Sequence, residues 1–392
     1  MDPPIVTLVT GANSGLGYAI ACRVILEFFD QCTSNHRLVV CLTTRSHEKA
    51  RTAIANLTTF LTSRLSKDAF HRVQLDHIII DLSSMVSVMS AATELQNRYP
   101  RIHHVFCNAA VIPFTRIDWL KAIRQFATGF VDAMTVPRYK VQNIGWLTDS
   151  HQALLRPQSP STKKSTLSEL GAAFTANVFG HYFLLHEIMQ TLHSPMSSQD
   201  EPSRIIWIGS IESDPLTFNI EDVQGIKSTK PYESSKTLTD ILVLGSQLPE
   251  TEKYFRSYTT PPQDRAPNFQ LQKTKPPVFL IAHPGIISTE IVALPWWQSR
   301  AKIIGFLFCK FLGSPWHCID PFIGANAPVW LALSPHLEMV KGFKWGSGCN
   351  WKNGEFVLET RVDADVTSHA SRLWGQMEDL RILWKSLLVP QP

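Results

Sequence analysis

Short apolar runs alternate with longer segments of helical periodicity from the start of the chain to about residue 290. The apolar runs predict strands at residues 5–9, 36–46, 77–82, 104–110, 204–210 and 278–285. Segments with a helical pattern fall between them, among them residues 18–25, 85–98 and 170–192. Strands that alternate with helices form a parallel sheet covered on both faces, so the pattern predicts an α/β fold with a doubly wound parallel sheet.

A glycine-rich segment, Thr-Gly-Ala-Asn-Ser-Gly-Leu-Gly at residues 10–17, joins the first predicted strand to the first predicted helix. Gly11 permits a tight turn, Gly15 lets the backbone approach a pyrophosphate, and Gly17 allows the helix to pack closely on the sheet. The free N–H groups at the start of the helix then face phosphate. This arrangement predicts a Rossmann-type dinucleotide site, and the alternative is a glycine-rich loop without a ligand.

Two regions of the chain are less regular. Residues 119–126 have a helical pattern, whereas the polar stretches 156–168 and 259–277 predict surface loops. We expect residues 1–290 to form the core, with insertions near 113–168 and 255–277. Residues 291–392 then add a helical extension to the same domain.

Composition argues against several classes of function. The formal net charge is +4 and no long basic stripe is present, so we expect no nucleic-acid partner. The seven cysteines form neither a Cys-x-x-Cys pair nor a Cys/His metal spacing, which favours a reducing compartment and no structural metal. No run approaches the ~20 apolar residues of a spanning helix. The first predicted strand begins near Ile5, which leaves no room for a targeting peptide.

Four polar residues could carry chemistry. Tyr232 and Lys236 share one face of a predicted helix, and an ammonium beside a phenol lowers the phenol pKa from ~10 toward neutrality. Ser210 ends a strand at the sheet edge where open α/β sheets bind ligands, and its hydroxyl can polarise a carbonyl. Asn177 is an unfavourable residue within a helix and has capacity for backbone or water contacts. Taken singly, these residues are equally typical of solvated helix faces and turns.

The order of these residues resembles the short-chain dehydrogenase/reductase family from residue 5 to about residue 289. The matching elements are the glycine turn, Asn108-Ala109, Asn177, Ser210, Tyr232-x-x-x-Lys236 and Pro284-Gly285-x-x-x-Thr289. The resemblance implies that Tyr232 donates a proton in a reduction and that Lys236 binds the nicotinamide ribose and lowers the tyrosine pKa. It also implies that Ser210 orients the substrate carbonyl and that Asn177 holds a proton-relay water.

The same resemblance implies an NADP(H) site. Asp81 would lie by the adenine and Asn108 by the adenosine ribose. Ile287 and Thr289 would lie by the carboxamide and the phosphates. The predicted cofactor-binding residues are Gly11, Ser14, Gly15, Leu16, Gly17, Thr44, Arg45, Asp81, Asn108, Tyr232, Lys236, Ile287 and Thr289.

The sequence departs from the family pattern at two places. Cys107-Asn108-Ala109-Ala110 replaces the usual Asn-Asn-Ala-Gly, and Gly209 replaces a common serine before Ser210. Neither departure removes a catalytic group, although the first is expected to alter the turn after the fourth strand.

The turn after the second predicted strand bears on the choice of cofactor. An acidic residue there would accept a hydrogen bond from a ribose 2′-hydroxyl and repel a 2′-phosphate. The turn instead contains Thr43, Thr44, Arg45 and Ser46, and no acid. Because an arginine can pair with phosphate through two N–H groups, the sequence predicts NADPH rather than NADH. The alternative is that Arg45 is a solvated surface residue.

Longer matches resemble a subfamily, the fungal 3-keto-steroid reductases of sterol C-4 demethylation, with animal relatives among the 17-beta-hydroxysteroid dehydrogenases. They are Asn177-Val-Phe-Gly-His181-Tyr-Phe, Ile206-Trp207-Ile-Gly-Ser210-Ile-Glu-Ser and Pro231-Tyr232-x-Ser-Ser-Lys236-Thr-Leu-Thr-Asp240. The resemblance implies NADPH-dependent reduction of a 3-oxo group on a 4-methyl sterol. Two alternatives stay open: a secondary-metabolite enzyme acting on another polycyclic terpenoid or steroid ketone, and a non-catalytic cofactor-binding scaffold.

The segment 294–312 follows the last predicted strand and has an apolar stripe of Ile303, Ile304, Leu307, Phe308 and Phe311. Paired tryptophans and the flanking Lys302 and Lys310 are typical of a helix that lies on a membrane surface. The same stripe would also suit packing on the sheet or a wall of the substrate pocket. The resemblance implies a peripheral enzyme on the cytoplasmic face of the endoplasmic reticulum or on lipid droplets, in a complex with other sterol-biosynthesis enzymes.

Overall fold

The structure is a computed structural model that describes residues 3–31, 36–151, 169–196, 201–262, 270, 273–289 and 295–388. Its strands are β1 (Ile5–Val9), β2 (Leu38–Thr44), β3 (Val73–Ile79), β4 (His104–Cys107), β5 (Phe114–Ile117), β6 (Lys140–Gln142), β7 (Leu147–Asp149), β8 (Glu169–Gly171), β9 (Ser194–Pro195), β10 (Arg204–Ile208), β11 (Thr274–Lys275), β12 (Val278–His283), β13 (Lys344–Cys349) and β14 (Glu355–Thr360). Its α-helices are α1 (Gly15–Gln31), α2 (His47–Thr62), α3 (Lys67–His71), α4 (Met85–Arg98), α5 (Trp119–Thr128), α6 (Phe130–Thr135), α7 (Ala172–Phe174), α8 (Gly180–Glu187), α9 (Met189–Leu192), α10 (Pro231–Gly245), α11 (Glu252–Thr259), α12 (Trp296–Phe311), α13 (Pro321–Gly324), α14 (Asn326–Leu333), α15 (Leu337–Val340) and α16 (Val366–Leu388).

Eight strands form one sheet in the order β14-β13-β12-β10-β4-β1-β2-β3. Every neighbouring pair is parallel except β13 and β14, which are antiparallel. The chain moves outward from β1 through β2 to β3 and then returns to β4 on the other side of β1. The strand order therefore reverses between β1 and β4, the point where open α/β sheets bind ligands. The predicted doubly wound parallel sheet is confirmed.

The sheet separates two hydrophobic cores because side chains along each strand alternate between its faces. On β2, Leu38, Val40 and Leu42 join the core beneath α1, α2 and α14. Val39 and Cys41 point the other way, into the core formed with α4, α8, α10 and α16. Apolar runs without a polar face are typical of such doubly covered strands.

The predicted long helix 170–192 is broken. Its first residues form β8, which pairs with β7. A π-helical turn, Thr175–Phe179, then separates α7 from α8, and Ile188 separates α8 from α9. The helical periodicity continues through the breaks, so the sequence pattern did not reveal them. Single π-helical turns are frequent at functional sites, and this one contains Asn177.

The C-terminal region is not only helical, because it also supplies β13 and β14 to the main sheet. β13 was not predicted, because its glycine-rich sequence does not form an apolar run. α16 closes the chain by packing Trp374 and Trp384 into the core beside α10. The division of the domain at residue 290 stays a prediction, although β12 and β13 pair across it.

One predicted surface loop falls wholly outside the described residues, and the other falls partly outside them. All of 156–168 lies there, as do 263–269 and 271–272 of the second stretch. The described part of that second stretch contains Thr259, which ends α11. It also contains β11, which pairs with β9. The third strand occupies Val73–Ile79 rather than 77–82, and the fourth ends at Cys107 rather than at residue 110.

Candidate active site

The glycine turn between β1 and α1 needs its glycines. Gly11 and Gly15 have φ angles of +65° and +57°, in the left-handed region that side chains disfavour. A Cβ atom on Gly11 would lie 2.9 Å from the Cβ of Ala109. A Cβ atom on Gly17 would overlap the carbonyl oxygen of Gly11 and lie 2.6 Å from Asn108 Nδ2. The turn is therefore packed against the end of β4, with α1 starting at Gly15.

Hydrogen bonds join this turn to β4. Thr10 Oγ1 bonds to the carbonyl of Phe106 at 3.0 Å and accepts from the backbone N–H groups of Asn108 at 2.8 Å and Ala109 at 3.0 Å. Asn108 Nδ2 donates to the carbonyl of Thr10 at 2.8 Å. The side chain of Asn108 thus holds the turn in place, and its contact with a ribose stays a prediction. Asn108 and Ala109 make these bonds although Cys107 and Ala110 depart from the family pattern.

Asp81 follows β3 at the same edge of the sheet. Its Oδ1 accepts from the backbone N–H of Ser83 at 3.0 Å and from the Ser83 hydroxyl at 2.5 Å. Its Oδ2 is buried and has no hydrogen-bond partner among the described residues. A buried carboxylate oxygen without a partner is costly, so this atom is suited to accept a hydrogen bond from a ligand such as an adenine amino group.

The tip of β2 presents Arg45 to solvent. Thr44 is buried, and its Oγ1 donates to the carbonyl of Ser46 at 2.9 Å and accepts from the N–H of Ser46 at 3.0 Å. These bonds shape the turn so that the side chain of Arg45 is exposed. No acidic side chain stands in this turn, as the sequence indicated.

The segment after β12 meets the glycine turn. Thr289 Cγ2 lies 3.4 Å from the position that a Cβ on Gly15 would take. Ile287 forms an isolated bridge with Ile319, which fixes this segment against the C-terminal region. Of the other predicted residues in the turn, Ser14 is exposed and Leu16 is buried. The structure thus brings Gly15 and Thr289 together from distant parts of the chain.

Ser210, Tyr232 and Lys236 meet where β10 ends and α10 begins. Pro231 starts α10, where its fixed φ angle suits the first helical turn. The Ser210 hydroxyl is close enough to the Tyr232 hydroxyl to lower its pKa. Lys236 Nζ lies 5.7 Å from the centroid of the Tyr232 ring and donates to the carbonyl of Ile208 at 2.7 Å. These three predicted catalytic residues therefore form one site.

The pKa values correct one expectation. Burial, followed by the carboxylate of Glu212, raises the pKa of Tyr232 well above its usual value, while the Ser210 hydroxyl acts in the opposite direction. Burial lowers the pKa of Lys236 to about 8. The predicted lowering of the tyrosine pKa by Lys236 is not seen, because the pKa of Lys236 is itself about 8 and its side chain is neutral at the high pH where Tyr232 titrates. Tyr232 is protonated at neutral pH and can act as a proton donor.

Asn177 links two parts of the site. Its Oδ1 accepts from the N–H of Val111 at 2.7 Å, and its Nδ2 donates to the carbonyl of Val111 at 3.1 Å. The same Nδ2 donates to Ser235 Oγ at 3.0 Å. The amide group is therefore occupied by protein partners that tie the segment after β4 to α10. A water held by Asn177 stays a prediction.

Two pairs of charged residues beside the site were missed by the sequence analysis. Lys344 on β13 is buried and bonds to Asp240 Oδ2 at 2.7 Å and to the carbonyl of Ser210 at 2.8 Å. Lys140 on β6 pairs at 2.6 Å with Glu212, whose N–H donates to Ser210 Oγ at 3.0 Å. In the sequence, Lys344 stands beside apolar and small residues. This pattern does not identify a buried lysine unless the strand that carries it is already known.

Comparisons with known proteins point to one group of enzymes. The chain is 34% identical to the 3-keto-steroid reductase erg27 of Aspergillus fumigatus, covering 98% of this chain and 95% of that protein. It is 31% identical to the 3-keto-steroid reductase ERG27 of Gibberella zeae, over 91% of this chain and 80% of that protein. It is 29% identical to the 3-keto-steroid reductase erg27 of Schizosaccharomyces pombe, over 97% of this chain and 98% of that protein.

Solved structures are more distant. The KRED1-Pglu enzyme aligns with a TM-score of 0.44 at 15% identity, over 87% of this chain and 99% of that one. An alcohol dehydrogenase from the archaeon Thermococcus sibiricus, complexed with 5-hydroxy-NADP, aligns with a TM-score of 0.43 at 14% identity, over 90% and 100%. No protein-family model matches the sequence.

Proposed function

The chain belongs to the family of the fungal 3-keto-steroid reductases, and we propose that it catalyses NADPH-dependent reduction of a 3-oxo group on a sterol intermediate. The observation that carries the proposal is the meeting of Ser210, Tyr232 and Lys236 at the end of β10. A non-catalytic scaffold would have no need to keep a serine and a tyrosine together beside a buried lysine.

The residues at the sheet edge fit a dinucleotide. The N-terminus of α1 and the turn at Gly11 and Gly15 suit a pyrophosphate, because free N–H groups there favour negative charge. The unpartnered Oδ2 of Asp81 suits the adenine, and exposed Arg45 suits a 2′-phosphate. Thr289, which lies beside Gly15, would complete this side of the site.

The catalytic residues have separate tasks in a reduction. When bound, the nicotinamide supplies the hydride. Ser210 and Tyr232 donate hydrogen bonds to the ketone oxygen and hold the carbonyl in one orientation. Tyr232 then transfers its proton to that oxygen as negative charge develops there, which is general acid catalysis. The ammonium of Lys236, 5.7 Å from the tyrosine ring, stabilises the phenolate that remains.

A substrate panel tests the proposal. Purified full-length protein is incubated with NADPH and with a 4-methyl-3-keto sterol, a 17-keto steroid and a non-steroidal polycyclic ketone. We expect NADPH consumption with the first compound and a 3-hydroxy sterol as the product, identified by mass spectrometry and NMR. Turnover of the polycyclic ketone alone would instead support a secondary-metabolite reductase. NADPH binding without turnover of any ketone would support a scaffold.

We further propose that the enzyme binds a membrane surface through α12. The side chains of Ile304, Leu307 and Phe311 on this helix are exposed, with Phe311 74% accessible. Trp296 and Trp297 at its start are exposed as well, and Arg300 lies over the Trp296 ring. None of the helices among the described residues is long and apolar enough to cross a bilayer. A large exposed apolar face on such a helix favours an interfacial position.

A second helix extends this face. On α5, Trp119, Leu120 and Ile123 are exposed, and the basic Lys121 and Arg124 stand among them. We refer to the exposed residues of α5 and α12 as the α5–α12 surface. Lysine and arginine beside apolar side chains complement a bilayer that contains anionic lipids. Lys310, predicted to flank the stripe, is instead buried and bonded to Asn353.

α6 connects the two helices. Phe130 on α6 lies 5.5 Å from Phe126 on α5 and 5.3 Å from Phe308 on α12, measured between ring centroids. The two exposed faces therefore flank one aromatic cluster. We expect the location of the enzyme to be the endoplasmic reticulum or a lipid droplet, where the sterol substrate dissolves. A complex with other sterol-biosynthesis enzymes stays a prediction.

The inner side of α12 approaches the catalytic residues. Lys302 is half-buried, and burial together with the charge of Lys140 lowers its pKa. Lys140 in turn pairs with Glu212, which acts on the pKa of Tyr232. The charges of Lys140 and Glu212 therefore act on groups of both α12 and the proton donor. This proximity supports a role for α12 as both the lip of the substrate pocket and the membrane contact.

A further inference from the structure

Two buried lysines hold the main chain at the end of β10, on either side of Gly209. Lys236 Nζ donates to the carbonyl of Ile208 at 2.7 Å, and Lys344 Nζ donates to the carbonyl of Ser210 at 2.8 Å. Lys236 comes from α10, whereas Lys344 comes from β13 in the C-terminal region. The main chain that carries the serine is therefore fixed by two separate parts of the fold.

Asp240 keeps Lys344 in place. The two side chains are 1% and 3% exposed, and they form an ion pair of 2.7 Å. Asp240 follows Lys236 by one helical turn, so α10 carries both the catalytic lysine and the partner of Lys344. Desolvation offsets most of the attraction in a buried ion pair, so stability alone is a weak reason for this arrangement.

We propose that Lys344 and Asp240 are positioning residues for the reduction, through which β13 fixes the main chain of Ser210 and sets the charge around Lys236. The inference rests on the proposed function, because Ser210 and Lys236 are its catalytic residues. A serine hydroxyl displaced by a fraction of an ångström would no longer hold the ketone in the reactive orientation.

The charges around Lys236 give this role a distinctive signature. Asp240 raises the pKa of Lys236 and Lys344 lowers it, against the background of burial. Removal of Lys344 should therefore raise that pKa, and removal of Asp240 should lower it. Other titratable groups that face Lys236 are Tyr232 on its own helix, Cys107 on β4 and His181 on α8.

The test compares Lys344→Met, Asp240→Asn and the double variant that carries both changes. The double variant leaves neither member of the pair charged, so it avoids the unpaired buried charge that could prevent the single variants from folding. Two experiments are made on the full chain. Kinetics at saturating NADPH give kcat and KM for the ketone, and NMR of lysine-labelled protein gives the titration midpoint of the Lys236 ammonium.

We expect kcat of the double variant to fall by about 10- to 100-fold, with a much smaller change in KM. The titration midpoint of Lys236 should move upward in Lys344→Met and downward in Asp240→Asn. It should also move downward in the double variant, since the effect of Asp240 is the larger one.

Lys385→Met provides a matched control. Lys385 on α16 also pairs with a buried carboxylate, that of Glu187 on α8, at 2.7 Å, and none of the proposed catalytic residues is a member of this pair. This variant should lose thermal stability without a change in kcat or in the Lys236 midpoint.

A folded double variant with wild-type kcat and an unchanged midpoint would overturn the inference. Failure of the proposed function looks different. A wild-type chain that reduces none of the ketones refutes that function, whereas the NMR titration still decides whether the pair acts on Lys236.

Discussion

At the end of β10, Lys236, Lys344 and Asp240 are buried with polar partners, whereas on α5 and α12 large apolar side chains face solvent. Both regions depart from the usual distribution of residues, in opposite directions. Buried charge and exposed apolar area are the informative exceptions in a folded protein. We propose that the first region serves chemistry away from water and that the second contacts a membrane surface.

The two regions also differ in what a substitution does. At the end of β10, Lys236, Lys344 and Asp240 are held by hydrogen bonds to one another or to the main chain, so the loss of one group affects the others. On the α5–α12 surface the side chains make few contacts within the protein, so replacement there should leave the fold intact.

The largest effect is expected from Tyr232→Phe, which keeps the ring and removes the hydroxyl. Loss of the general acid should lower kcat by about 10²–10⁴-fold. NADPH affinity, measured by fluorescence titration, should change little. Lys236→Met should slow turnover and weaken NADPH binding as well. Tyr254→Phe on α11 removes a phenol hydroxyl away from the site and serves as the control. Near wild-type turnover in Tyr232→Phe would exclude this tyrosine as the proton donor.

A smaller effect, confined to location, is expected from serine at Ile304, Leu307 and Phe311 together. Each buried apolar side chain contributes about 1.5–3 kcal/mol, so liposome binding should weaken by at least about 100-fold. Phe306 is left unchanged because it is buried, with its ring 5.3 Å from that of His317.

Flotation with anionic liposomes measures membrane binding, and thermal unfolding shows whether the variant is folded. Ile382→Ser on α16 removes another exposed apolar side chain and should not change flotation. A wild-type chain that does not float, or a triple variant that unfolds, would contradict the membrane assignment.

A more selective effect is expected from Arg45→Ala. Loss of a charged hydrogen bond to the 2′-phosphate costs about 1.5–3 kcal/mol, so the KM for NADPH should rise roughly tenfold or more. The KM for NADH should hardly change, since NADH lacks this phosphate. Arg51→Ala removes an exposed arginine from α2 and is the matched control. Equal effects on both cofactors would refute the assignment.

The smallest effect concerns pH. The pKa of Lys236 is lowered to about 8, so its side chain is charged below that pH and neutral above it. A neutral lysine binds the cofactor ribose less strongly, and the affinity for NADPH should fall by less than about tenfold between pH 7 and pH 9. Binding titrations across this range measure the change. The same pH dependence in Lys236→Met would show that another group is responsible.

Sequence patterns identified the parts of the site that depend on neighbouring residues. The glycine turn at Gly11, Gly15 and Gly17 was predicted because positive φ angles and close backbone contacts demand glycine. Tyr232 and Lys236 were placed on one face because helical spacing determines it. Arg45 was singled out because the turn after β2 contains no acidic residue and an arginine can pair with phosphate.

Other features depend on contacts between distant parts of the chain. Asn177 was singled out, but its bonds to Val111 and Ser235, and the π-helical turn around it, were not foreseen. The apolar stripe on α12 was predicted from periodicity, yet the exposed face of α5 beside the shared α6 cluster was not. Periodicity identifies the apolar side of a helix but not whether another element covers it.

By itself the sequence determined the alternation of strands and helices that builds the parallel sheet from β1 to β12, the glycine turn and the spacing of Tyr232 and Lys236, since local backbone geometry governs all of these. Only the tertiary structure brought Thr289 to Gly15 and Lys344 to Asp240 and Ser210. β13 becomes part of the sheet through its pairing with β12, and a glycine-rich strand has too little apolar pattern to be recognised in advance. The partner of a buried lysine is decided by how the core packs, because no rule of sequence spacing relates residues so far apart.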